Sequence, residues 1–199
     1  IERIPDAAAR SHVSHDLLRD PVADAAAIRY WRFHNESVAS IVLDFLKTAP
    51  AEVRPGALLG VYFGYLLSHG VGGAEMLHLG NADYERLFDS PDLDFVTGAS
   101  YVAVHGGSSD FSPPYQSLRL RGKAYVHEMD RYTHTANARV DEYHSFDRPR
   151  WRDQTESIAG LRREMGLCLV HRASIWWFNI FGDFFQEEPV WDTVRQNKV

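Results

Sequence analysis

Apolar residues change period along this chain, and the changes mark its elements. Trp31, Val38, Ile41, Val42, Phe45 and Ala49 recur at spacings of three and four, which predicts one stripe of a long helix. Asp20-Pro21 supplies an N-cap and a first-turn proline for it. Pro50 and Pro55-Gly56 end it. Residues 58–66 (LLGVYFGYL) are apolar on both faces, as a buried parallel strand requires. A second helix is expected over 75–89, weakened by Gly80. Residues 93–100 (LDFVTGAS) read as the next strand. Pro113-Pro114 leads into a short helix that Gly122 stops.

Residues 123–130 (KAYVHEMD) read as a third strand, followed by a loop over 131–150. A loop of that length in a compact domain is usually functional or mobile. Asp153 with Glu156 three residues later is a capping-box variant. Ile158, Leu161, Met165, Cys168 and Leu169 form the stripe of the helix it opens. Residues 174–181 (SIWWFNIF) read as a fourth strand, and Pro189 precedes a short C-terminal helix.

Alternating helices and strands mark an α/β protein with a mainly parallel sheet, built by right-handed crossovers. No Gly-x-Gly-x-x-Gly follows any strand and there is no Walker sequence. Tyr65, Tyr101, Glu128, Asp130 and Trp177 instead gather at the C-terminal ends of strands, where a TIM barrel carries its chemistry. The expected fold is therefore half of a (β/α)8 barrel, one domain over residues 1–199.

Charge and composition narrow the partners. The 199 residues carry a formal charge of -6, and 45% are apolar, which excludes a disordered acidic tail. The absence of a basic run argues against a nucleic-acid partner. No run reaches the roughly 18 apolar residues of a membrane span. A single cysteine, Cys168, excludes an internal disulfide. The chain starts at Ile1 without a leader pattern, and we expect a trimmed protein or a segment of a longer one.

Glu128 is the centre of the chemistry. If strand alternation holds, it points into the barrel mouth. The string Glu128-Met129-Asp130-Arg131-Tyr132-Thr133-His134 can form a hydrogen-bonded shell, and an arginine beside a carboxylate keeps it ionised. Other residues read as structural. His127 should face the helix layer as a satisfied core histidine, and Cys168 sits inert on the apolar stripe. Arg162-Arg163-Glu164 reads as a solvated face. His12 and His15 lack a third ligand for a metal. Ser108-Ser109-Asp110 lacks a nucleophile elbow, and the Gly70–Gly73 cluster does not sit at a helix-bound phosphate site.

The runs GVYFGY (60–65), LFDSPDLDFVTGASY (87–101), SLRLRGKAYVHEMDRYTH (117–134) and LRREMGLCLVHRASIWWFN (161–179) occur in the order of the latter half of a glycoside hydrolase barrel. Together they resemble clan A glycoside hydrolases, most nearly the β-galactosidases of family 42. The N-terminal run 4–39 resembles the segment after the fourth barrel strand there.

The resemblance implies retaining hydrolysis of a glycosidic bond, that of a β-galactoside, with no cofactor. Glu128 would be the nucleophile, with Tyr101 and Arg131 holding its charge and orientation and Asp130 beside them. Trp176 or Trp177, preferably Trp177, would be the sugar platform, and Asn179 or His134 would meet hydroxyls.

Clan A places the acid/base after an asparagine at the end of the fourth strand. Asn35-Glu36 matches in letters, but it lies inside the predicted long helix, so the acid/base is expected from outside this chain. The alternative is a non-catalytic, carbohydrate-binding or structural remnant. In either case the terminal strands of a half barrel would be apolar edges. They need an N-terminal half or a second copy as partner.

Overall fold

The computed structural model describes residues 4–11, 19–64, 77–99, 111–136, 150–179 and 184–196. In chain order these contain α1 (Ala7–Ser11), α2 (Ala25–Thr48), β1 (Gly60–Tyr62), α3 (Tyr84–Phe88), β2 (Phe95–Ala99), α4 (Tyr115–Leu120), β3 (Ala124–Met129), α5 (Gln154–His171), β4 (Ser174–Trp177) and α6 (Glu188–Gln196). The four strands run parallel in one sheet, in the order β1-β2-β3-β4. Helices flank it. The fold is α/β and compatible with half of a TIM barrel. The chain divides into two compact units, Ile1–Thr97 with Ser112–Ala124, and Gly98–Phe111 with Tyr125–Val199.

In the first unit, β1 pairs with β2 through Gly60↔Phe95, Val61↔Val96 and Tyr62↔Thr97. Gly60 is required where it stands, because a Cβ there would lie 2.2 Å from the Phe95 ring. Val96 and Phe63 pack with Leu46, Leu87, Phe88, Leu93 and Leu118 into a core, and Val61 packs against it.

The expected long helix is present, but its buried side is rotated from the stripe read in the sequence. Ala27, Trp31, Asn35, Ala39 and Leu46 are buried, whereas Ile41 and Phe45 are exposed. Asp20 acts one turn before the helix, accepting from the amides of Val22 and Ala23, both at 2.8 Å.

The helix expected over 75–89 is interrupted. Gly80 adopts φ +75 and lies so close to Val38 that a Cβ would meet its Cγ2 at 2.7 Å. The chain there follows tertiary contact with α2 rather than helical propensity, and α3 begins afresh at Tyr84.

The second unit follows its pattern more closely. Asp153 Oδ1 accepts from the Glu156 amide at 2.9 Å. The Glu156 carboxylate returns the contact one residue early, to the Arg152 amide at 2.8 Å. The first turn of α5 is thus satisfied from both sides. β3 and β4 pair through Val126↔Ser174, His127↔Ile175, Glu128↔Trp176 and Met129↔Trp177. Met129, Tyr132, Trp151, Leu161, Phe184, Phe185 and Val190 form the core of this unit.

Candidate active site

Strand alternation places Val126 and Glu128 on one face of β3, and Tyr125, His127 and Met129 on the other. Contacts show which face meets the helices. His127 Nε2 lies 3.2 Å from Glu164 Oε2 on α5, and Met129 belongs to the apolar core. Glu128 therefore occupies the face turned away from α5. It is 8% exposed, at the C-terminal end of a parallel strand.

Parallel register puts paired residues on the same face. Glu128 shares its face with Trp176, whereas Trp177 shares the helix face with Met129. Trp177 packs edge-on to Phe185, with ring centroids 6.3 Å apart. Trp176 meets Phe178 in the same edge-on way at 5.5 Å. By register the ring on the Glu128 face is Trp176 rather than the expected Trp177. The reason is register, which the sequence of β4 alone does not contain.

Asp130 and Arg131 follow β3 directly and are buried. Arg131 Nε is 3.1 Å from Glu164 Oε1. Burial pulls the Arg131 guanidinium below its ordinary range, and Glu164 opposes that shift. Arg163 Nη2 approaches the same Glu164 oxygen at 3.1 Å. Glu164 is fully buried, so the expectation of a solvated face at 162–164 fails at this residue. A signal was available. Glu164 stands three residues after Leu161 and four before Cys168, on the stripe that is buried. Cys168 is buried too, and burial, aided by Glu164, pushes its thiol up to about 12. His127 is the satisfied core histidine that its neighbour's position implied.

His134 is held at both ring nitrogens. Nδ1 lies 2.8 Å from Ser157 Oγ, and Nε2 lies 3.2 Å from Glu187 Oε2. The order serine–histidine–glutamate resembles a nucleophile relay. Ser157 is fully buried in the first turn of α5, however, and its Oγ also accepts from the His134 amide at 3.1 Å. The chain of bonds ties the segment after β3 to α5 and to the start of α6. Hydrogen bonds from Gln154 and His134 hold the Glu187 carboxyl below its usual range. Thr133 donates to the Phe184 carbonyl and reinforces the same junction. Asn179 is exposed, and its Oδ1 accepts from the Phe184 amide at 3.3 Å. Tyr101 lies outside the described residues, as do Tyr65, His12, His15, the Gly70–Gly73 cluster and Ser108-Ser109-Asp110.

Asn35-Glu36 sits in α2, as read. Asn35 clamps backbone: its amide donates to Trp31 O at 2.8 Å and Leu77 O at 3.2 Å, and its oxygen accepts from Ala82 N at 2.8 Å. Glu36 pairs with Arg32 at 2.7 Å on the surface. The cleft of about 410 Å3 beside them has its polar lining engaged in these contacts, in the Asp83–Arg86 pair and in the bond from Arg19 to the Arg10 carbonyl.

Among the described residues, no three His, Cys, Asp or Glu gather as metal ligands would, and no helix is long and apolar enough to cross a membrane. No protein-family model, curated protein or solved structure matches the chain.

Proposed function

We propose that this chain is the C-terminal half of a glycoside hydrolase barrel of the family 42 type, acting on a β-galactoside. Glu128 is its nucleophile. The observation that carries the reading is the buried Glu128 carboxylate, at the C-terminal end of a parallel strand, on the face away from α5 and in register with Trp176. A pyranose presents one C–H face to an aromatic ring, and its anomeric carbon needs a carboxylate close by. Trp176 and Glu128 are those two groups.

The reaction has two steps. A Glu128 oxygen bonds to the anomeric carbon as the bond to the aglycone oxygen breaks, and an acid/base from outside this chain protonates the leaving oxygen. Water then attacks the glycosyl–Glu128 ester, gives its proton to the same base, and frees the carboxylate. Retaining enzymes hold the two carboxyl groups roughly 5–5.5 Å apart. The outside group would reach the site with four further β/α units or another chain, which would also pair the edges of the sheet.

A 2-deoxy-2-fluoro-β-galactoside with a dinitrophenyl leaving group tests this, because that leaving group needs little acid help. The product of the whole coding frame is expected to gain one fluorosugar on the peptide holding Glu128, and E128Q none. Sugar binding without labelling would replace this reading with a non-catalytic binding remnant. Neither binding nor labelling would end both.

A further inference from the structure

We propose that Glu164 is a positioning residue for Glu128, an inference that rests on reading Glu128 as the nucleophile. Glu164 is fully buried on the opposite side of β3, so it touches no substrate. Its two oxygens divide their work. Oε2 accepts from His127 Nε2 at 3.2 Å, while Oε1 faces Arg131 Nε and Arg163 Nη2, each at 3.1 Å. One carboxylate thereby grips the residue just before Glu128 and the residue three after it. The strand end that carries the nucleophile is fixed on both sides, from behind.

Burial of charge explains why the grip is directional. Replacing a buried ion group with apolar residues of similar volume is often neutral or stabilising, so such a group is a weak source of stability. What it adds is direction: its hydrogen bonds with His127 and Arg163 constrain angle as well as distance, and its ion pair with Arg131 sets the distance to the segment after β3. Apolar packing by Leu161 and Met165 on the same helix face already holds α5 against its surroundings. Glu164 supplies what that packing lacks, a fixed rotation and height for residues 127–131.

The experiment measures labelling by the dinitrophenyl fluorosugar as a function of its concentration, together with thermal unfolding. The variants are E164Q, which keeps shape and removes charge, and R131M/E164M, which removes both members of the buried Arg131–Glu164 ion pair. A misplacement near 1 Å costs about 100-fold in rate, so the saturating labelling rate of E164Q is expected to fall about 10- to 100-fold, with half-saturation little changed. Should E164Q fail to fold, the double variant gives the same reading. A saturating rate within about twofold of wild type in either folded variant overturns the inference, as does a change confined to half-saturation. Wild type labelled and variants equally fast sinks this inference alone. Wild type unlabelled sinks it together with the nucleophile assignment.

Discussion

Cys168 shows how one environment sets a side chain's chemistry. Its thiol is buried with the Glu164 carboxylate nearby, and both disfavour the thiolate. With its value pushed up to about 12 from an ordinary 9.0, the thiolate population near neutral pH falls about 1000-fold. Only the thiolate alkylates. Iodoacetamide at pH 8 is therefore expected to leave Cys168 unmodified in the folded protein and to label it readily in urea, as read by mass. Rapid labelling of the native protein would contradict the burial described. Sequence reading reached this outcome for Cys168 and His127, because both lie on faces that a simple period identifies. It missed Glu164 for a physical reason. A buried carboxylate is admitted only where hydrogen-bond and charge partners meet it: Arg163 adjoins it in sequence, but His127 and Arg131 come from β3 and the segment after it, more than 30 residues away.

Helices show the same division. The cap of α5 is local: Asp153 and Glu156 lie within one turn, so their letters suffice. Gly160 and Gly166 share this helix but not their surroundings. A Cβ on Gly160 would lie 2.1 Å from the Trp151 ring, whereas Gly166 has open space. Glycine in a helix interior costs about 0.5–1 kcal/mol relative to alanine. G166A is therefore expected to raise stability by about that amount in urea denaturation, and G160A to lower it by about 1–3 kcal/mol through overpacking. Equal effects from both would refute the packing of Trp151 on α5. The broken helix at Gly80 belongs to the same class, since its left-handed turn answers Val38 on another helix.

Whole-molecule behaviour turns on the two ends of the sheet. Among the described residues β1 and β4 are its outer strands, and Leu58 and Tyr62 at the β1 edge are exposed. An exposed apolar strand edge invites pairing with another chain. The isolated 199-residue chain is expected to associate with rising concentration in sedimentation velocity, and Y62K to weaken that association. A monodisperse monomer across the range would oppose a half barrel in need of completion.

The sequence by itself determined the class of fold, the order of strands and helices, the cap of α5, and the strand end at which Glu128 stands. These depend on periodicity and on residues within a turn of one another. Tertiary structure alone decided that Trp176 rather than Trp177 shares a face with Glu128, that α2 buries a rotated side, and that Glu164 is buried among His127, Arg131 and Arg163. Register between strands and the meeting of charges across elements are set by packing over long separations, and no local pattern of letters encodes them.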